Sequence, residues 1–313
     1  MKREKKQSIP VFLACDDNYA PFLCTTMYSM LLHTKSKIDF YVMDGGISQE
    51  SKELITESLK KFKHKHIKYI DMSQFDLSRF PNLRHYSLNT FSRYFIPELM
   101  PDLGKIIYID VDVIVKDDIA ELYKQKLGKY MVGAVLEDFY AGNYTKLKEK
   151  IWPLYKGGDH YFNAGVLLLD VQKMIKTKCS EKLVDLTVKL FDKLNCPDQD
   201  VFNIIFDGNF KVLDYRYNFM PDHWDRLQAK HPEITTVDPL VIHYTGKKPW
   251  KAKSARSADF DEILKQTKFA EIVQQRFAPK TVKKSEKAVI TNRKRIEKYK
   301  LFGLLTLLSV EEK

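Results

Sequence analysis

Cysteine is scarce. Cys15, Cys24, Cys179 and Cys196 are the only four in 313 residues, and no two form a C-x-x-C pair. That spacing excludes the common zinc and dithiol motifs and points to reduced thiols in a cytosolic compartment. No G-x-G-x-x-G follows the first apolar run and no G-x-x-x-x-G-K-[ST] occurs anywhere, which disfavours dinucleotide oxidoreductases and P-loop NTPases. No stretch approaches the ~20 apolar residues needed to span a bilayer. The apolar segment from Ile9 to Ala14 is too short for a signal-peptide core and runs straight into Asp16 and Asp17. These absences predict a cytoplasmic protein.

Positive charge is plentiful but unevenly placed. Of the net +11, residues 280–313 contribute +6, from ten Lys/Arg against four Glu, and the other 279 residues carry +5. A globally basic surface would suggest nucleic acid; charge loaded onto one end does not, and nucleic acid is not an expected partner.

What is present is an alternation. Apolar strands at Ile9 to Ala14, Ile38 to Met43 and Ile67 to Ile70 are separated by two helical patterns. The first sets Phe22, Leu23, Met27, Met30 and Leu31 on one side over 20–33. The second buries Leu54, Ile55, Leu59 and Phe62. This β-α-β-α-β order predicts an α/β fold, a doubly wound and mostly parallel sheet flanked by helices. Tyr130 to Leu136, Tyr161 to Asp170 and Leu240 to Ile242 add strands. Helices are expected over Asn89 to Ile96, stopped by Pro97, over 180–194, and from Pro197 onward. One large domain, 9–278, lies between a basic segment, 1–8, and a basic tail, 279–313.

The chain is organised around Lys105 to Val115, a β-branched run that reads as one strand buried on both faces. Asp110 and Asp112 interrupt it. Alternation along a strand sends both carboxylates to one side, where they repel unless a hard divalent cation joins them and then holds phosphate. Asp-x-Asp occurs three times, also at Asp198/Asp200 and Asp259/Asp261. Spacing therefore carries nothing, and the buried strand is what distinguishes the first pair. At the end of the first strand, Asp16 and Asn18 face the crevice where open α/β sheets bind ligands, although an acid or amide there also caps the next helix. Arg93, among aromatics, reads alone as a snorkelling surface residue or an anion clamp. Asn163 in an apolar strand must find hydrogen-bond partners. Asp198, Gln199 and Asp200 open a helix, where capping accounts for one of them but not all three. His243 ends the last strand, followed by Gly246, which admits close backbone approach, and the cation Lys248.

In chain order, Ala14-Cys15-Asp16-Asp17-Asn18-Tyr19, Arg84-His85, Arg93, Tyr108-Ile109-Asp110-Val111-Asp112, Phe162-Asn163-Ala164-Gly165-Val166, Asp198-Gln199-Asp200 and His243-Tyr244-Thr245-Gly246-Lys247-Lys248-Pro249-Trp250 resemble the family 8 retaining glycosyltransferases over roughly residues 9–255. The nearest likeness is to bacterial lipooligosaccharide and lipopolysaccharide galactosyl- and glucosyltransferases. The resemblance implies a GT-A fold that moves galactose or glucose from a UDP-hexose to a lipid-linked or lipopolysaccharide-core glycan, using Mn²⁺ or alternatively Mg²⁺. It assigns the metal to Asp110, Asp112 and His243. Asp16, Asn18 and the backbone of Ala14 would hold uridine, with Val111 between the acids on the donor. Arg93, Asn163, Ala164 and Asp198 would hold the sugar, Gly246 and Lys248 the diphosphate. Gln199, with Asp198, would act at the anomeric carbon, and His85 would face the acceptor. One residue separates Gly246 from Lys248, whereas the lipooligosaccharide galactosyltransferases have two, so Lys247 is a candidate for the same role. Tyr217-Asn218-Phe219-Met220-Pro221 also looks familial, with no role assigned.

In the tail, Arg293 to Lys300 leads into Leu301 to Leu308, a run too short to cross a bilayer but suited to lie in its interface. Docking of residues 280–310 on an anionic inner leaflet would place the enzyme peripherally on the inner face of the membrane, where a lipid-linked acceptor is found. Two other readings compete. A sugar-1-phosphate nucleotidyltransferase would need a Gly-rich phosphate loop after the first strand, which Cys15 to Tyr19 is not. A non-catalytic, membrane-associated UDP-sugar-binding protein would have no need of Gln199.

Overall fold

The structure, a computed structural model, describes residues 8–75, 79–80, 88–137, 160–252 and 256–277. Nine strands are assigned among them: β1 Ile9–Cys15, β2 Ile38–Asp44, β3 Lys65–Asp71, β4 Lys105–Ile109, β5 Val113–Val115, β6 Val132–Leu136, β7 Phe162–Asp170, β8 Lys211–Val212 and β9 Val241–His243. Seven form one sheet in the order β3-β2-β1-β4-β7-β6-β8, and β5 and β9 form a separate pair. β3, β2, β1 and β4 run parallel, while β7 is antiparallel to both β4 and β6. The sheet is thus mixed and mostly parallel on one side, as the alternation of elements predicts. The parallel strands deliver Asp16, Asp44, Asp71 and Asp110 to a single edge of the sheet. Residues up to Val273 form one compact unit; of the second, Gln274–Lys313, only 274–277 are described. The basic tail 279–313 and the segment 1–7 lie outside the described residues, and no described helix is long and apolar enough to cross a membrane.

The expected single strand over 105–115 is two strands in two sheets. β4 stops at Ile109, Asp110 to Asp112 leaves the ladder, and β5 pairs with β9, Val113 opposite His243. A backbone can leave a sheet inside a protein only if its polar groups find other partners. Here Asp110 N–H donates to Gly165 O at 2.8 Å and Tyr244 N–H donates to Asp112 O at 3.0 Å. The carbonyls of Val111 and Val113 both receive the hydroxyl of Thr26, at 3.0 and 2.9 Å. The carboxylates still converge, through a turn rather than through strand alternation.

Thr26 belongs to α1, Ala20–His33, and explains a second difference. The apolar spacing predicts one buried face, yet every residue from Ala20 to Leu31 is buried. α1 packs against α2, Gln49–Leu59, and also against β5 and the later helix Ser257–Leu264. Its polar residues are therefore interior backbone partners. Ser29 Oγ accepts Val115 N–H at 3.0 Å, and Thr34 Oγ1, just past the helix, accepts Ile119 N–H at 3.2 Å.

Two further elements differ in detail. Leu88–Phe95 is a 3₁₀ stretch, and Pro97 sits in the first turn of a short helix, Ile96–Leu99, instead of ending one. The helix expected over 180–194 is α3, Cys179–Leu190, followed by a 3₁₀ turn. The next helix, α4, Pro197–Phe206, packs on β7, and Phe202, Phe206 and Phe162 join Tyr94, Phe91 and Tyr108 in one core. The floor of the sheet edge is thereby held from below by aromatic packing.

Replacing Thr26 with Val leaves two buried carbonyls without their donor and is expected to cost about 1–3 kcal/mol of stability, read from urea unfolding midpoints. Thr26→Ser keeps the hydroxyl and is expected to lose no more than the buried methyl, ~1 kcal/mol.

Candidate active site

Asp110, Asp112 and His243 come together where the chain passes between sheets. One ligand atom from each lies within 4.8 Å of the others. His243 Nε2 stands 3.3 Å from Asp112 Oδ1 and 3.9 Å from Asp110 Oδ2. Two carboxylate oxygens and one imidazole nitrogen, with no thiolate, suit a hard divalent ion such as Mg²⁺ or Mn²⁺ that keeps positions open for phosphate and water. The donor set fits such an ion.

The histidine approaches the acids because residue 165 has no side chain. A Cβ there would lie 2.7 Å from Asp110 Oδ2 and inside contact distance of the His243 ring. Backbone pairing fixes the ring's base: His243 N–H donates to Phe219 O at 2.7 Å. Its Nδ1 lies 2.9 Å from Asn218 Oδ1.

Two cations hold the acids. Lys248 Nζ contacts the Asp112 carboxylate, which answers which lysine of the loop faces the acids; Lys247 instead donates its backbone N–H to Asp222 at 2.8 Å. Burial pushes the Asp112 carboxyl up, but Lys248 and His243 outweigh it and hold it well below the usual carboxylate range. For Lys248, burial works against the charge and Asp112 raises its pKa. Arg93 is buried, 7% exposed at the side chain, so the snorkelling reading does not hold. Its guanidinium meets Asp110 Oδ1 at 3.0 Å and Asp198 Oδ2 at 3.3 Å, donates to Ala164 O, and lies over the Tyr108 ring. Burial disfavours its charge, yet Asp110, Tyr108 and Asp198 together raise its pKa.

The far wall is the start of α4. Gln199 Oε1 accepts Ala164 N–H at 2.9 Å, and its Nε2 donates to Tyr161 OH at 3.2 Å. Tyr161 in turn donates to Asp200 Oδ1 at 2.6 Å, whose other oxygen accepts the N–H groups of Asn195 and Cys196. Asp200 thus holds the segment entering α4, the Asp198 carboxyl receives backbone N–H groups of Asp198 and Gln199, and Asp198 and Gln199 line the cavity. Ala164 links the two walls, its carbonyl toward Arg93 and its N–H toward Gln199. Burial lifts the Asp198 carboxyl to about 6, with Arg93 pulling it down and Asp110 adding to the rise.

Arg93, Asp110, Asp112, Asn163, Asp198, Gln199, His243 and Gly246 line one cavity of about 720 Å³. Ala14, Asp16 and Asn18 do not line it. They stand at the end of β1, beside β4, where Asp16 Oδ1 caps the turn into α1 by accepting Tyr19 N–H at 3.2 Å. Tyr19 joins the two regions: burial raises its pKa, Lys248 opposes, and Asp112 and Asp16 add to the rise. His85 lies outside the described residues. Sequence reasoning missed Glu137, which lines the cavity, and assigned nothing to Asn218, which is fully buried.

Gly165→Ala is expected to push His243 and Asp110 apart, lowering divalent-metal affinity measured by calorimetry at least tenfold while the far-ultraviolet spectrum stays native. The Asp198 carboxyl is raised on folding, so its contribution to stability is full below the unfolded value and is lost as pH climbs through about 6. Asp198→Asn, of similar volume, is expected to gain on the wild type by on the order of 2–3 kcal/mol between about pH 4 and neutrality, in urea titrations at both pH values.

Residues 10–254 match the family described as glycosyl transferase family 8. Lipopolysaccharide 1,2-glucosyltransferase of Escherichia coli is 27% identical over 259 residues, 80% of this chain and 75% of that protein. Glycosyltransferase GlyE of Streptococcus pneumoniae serotype 4 is 31% identical over 248 residues, 77% of this chain and 56% of the longer relative. Among solved structures, galactosyltransferase LgtC in complex with donor and acceptor sugar analogs is similar with a TM-score of 0.72 at 28% identity, covering 83% of this chain and 96% of that one. The fold is GT-A, and the chain belongs to glycosyltransferase family 8.

Proposed function

We propose that the protein moves a hexose, galactose or glucose, from a UDP-sugar to a lipid-linked or lipopolysaccharide-core glycan with retention of anomeric configuration. The observation that carries this reading is that Asp110, Asp112 and His243 converge, with Lys248 on Asp112, and line one cavity together with Arg93, Asp198 and Gln199. The names of the Escherichia coli and LgtC relatives support the hexose and the glycan class.

In this reading Asp110, Asp112 and His243 hold Mn²⁺. The ion would supply Lewis-acid stabilisation to the departing diphosphate. Lys248 adds a second positive charge on the same side, so no protein acid need protonate the UDP oxygen. Ala14, Asp16 and Asn18 hold the uridine at the end of β1. Arg93 and Asp198 read sugar hydroxyls: one oxygen of the Asp198 carboxylate is engaged by Arg93 and the residue faces the cavity. Gln199 is tied at both ends of its amide, and its oxygen retains one lone pair. An amide fixed this way is suited to stabilise positive charge at the anomeric carbon. Swinging into bonding distance would break two buried hydrogen bonds, which favours departure and attack on one face of the sugar, with the leaving phosphate oxygen taking the acceptor's proton. Residues 280–310 dock the enzyme on the anionic inner leaflet, beside its acceptor.

UDP release from a panel of UDP-sugars, with Mn²⁺ or EDTA, tests the class: turnover of one hexose donor that EDTA abolishes is expected, and no UDP binding under either condition would overturn the reading. Gln199→Ala is expected to slow transfer at least a hundredfold with UDP affinity within a few-fold of wild type; equal losses in both would remove its assigned role.

A further inference from the structure

The hydrogen bonds behind His243 have only one consistent direction. The starting point is a backbone donor that cannot be reversed: Gly165 N–H lies 2.9 Å from one terminal atom of the Asn163 amide, which must be oxygen. The other terminal atom is then the NH₂ group, and it donates to Glu137 Oε2 at 2.6 Å, an acceptor. The Asn163 oxygen also stands 2.9 Å from an Asn218 amide atom, which must be its NH₂. Asn218 is thereby oriented with its oxygen toward His243 Nδ1, at 2.9 Å, and an oxygen there requires the ring nitrogen to carry the proton. The lone pair of the neutral imidazole is left on Nε2, the atom that faces Asp112 and Asp110.

We propose that Glu137, Asn163 and Asn218 form a positioning chain that holds His243 in the Nδ1–H tautomer, with Glu137 as the remote carboxylate. A histidine that binds a metal commonly donates its other N–H to a carboxylate or carbonyl, which orients the ring and raises its basicity. Here two amides stand between the carboxylate and the ring. Every member is buried: Glu137 is 2% exposed, Asn163 5%, Asn218 0% and His243 3%. Such a chain orients its members only if each link pairs a donor with an acceptor, and the links from His243 through Asn218 and Asn163 to Glu137 Oε2 do so. The second Glu137 oxygen lies 2.9 Å from His223 Nδ1. The backbone keeps the links in register, since Phe219, next to Asn218, donates its N–H to Val241 O at 2.8 Å and accepts from His243 N–H at 2.7 Å. Ring and amide therefore ride on the same bridged segment.

The inference rests on the reading of Asp110, Asp112 and His243 as metal ligands, and its first test needs no metal. Long-range ¹H–¹⁵N correlation spectra of the metal-free protein at alkaline pH are expected to show His243 as the single Nδ1–H tautomer. Asn218→Leu is expected to produce a mixture or the opposite tautomer, while Asn218→Asp, whose carboxylate still accepts from Nδ1–H, restores it. Mn²⁺ affinity measured by electron paramagnetic resonance is expected to fall about 10–100-fold in Asn218→Leu. If that variant does not fold, Glu137→Gln carries the test: it keeps an acceptor for Asn163 but removes the charge, so a retained tautomer with several-fold weaker Mn²⁺ binding is expected. An Nε2–H tautomer in the wild type, or unchanged affinity in both variants, would overturn the proposal. Absence of Mn²⁺ binding in the wild type would instead overturn the metal reading, and the chain would stand or fall on the tautomer alone.

Discussion

Three carboxylates share one small volume with two fixed cations. Asp110, Asp112 and Asp198 contact Arg93 and Lys248, so the acids in direct contact outnumber the cations that engage them. In a partly buried site such an imbalance is tolerated only if each acid is individually engaged, and each is: Asp112 by Lys248, Asp198 by Arg93, Asp110 by Arg93 and by Tyr108 OH at 2.8 Å. The arrangement makes the site receptive to a cation, and a bound cation then makes it receptive to an anion. Much of the surrounding fold serves to keep these like charges close. The break after Ile109, the hydroxyl of Thr26 beneath it and the bare backbone at Gly165 all follow from that requirement.

The architecture was legible in the sequence because it depends on local periodicity. β1, β2 and β3 with α1 and α2 announce themselves through apolar spacing, and their parallel order follows from alternation. Most of the residues that line the cavity stand out in the sequence as short polar interruptions in apolar runs. Their assembly does not. Lys105 to Val115 has the same apolar pattern whether it is one strand or two, and its division is decided by Thr26, Gly165 and Tyr244, which are distant in sequence. Arg93 likewise looks amphipathic when read alone, and Asp110, the Ala164 carbonyl and Asp198, on α4, hold it inward.

Asn218 shows a different kind of opacity. Within Tyr217 to Pro221 nothing marks the amide as more than a turn residue. Its importance is relational: it is one acceptor away from a histidine and one donor away from another amide. Pattern reading finds residues that contrast with their neighbours in the chain, and it has no access to residues defined by their neighbours in space.

The loop after β9 is anchored at both ends. His243 is held in the β5–β9 ladder, and the Trp250 ring lies on Phe22 with centroids 3.6 Å apart and planes inclined by 14°, edged by Tyr19 and tilted against Phe260. A segment pinned this way behaves as a bridge between two piers. Adding or removing a residue cannot move the piers and must be taken up as slack at mid-span, near Gly246 and Lys247. The lysine's long aliphatic stem can absorb that slack, so the length of this loop can drift in evolution while the positive charge it delivers stays in place.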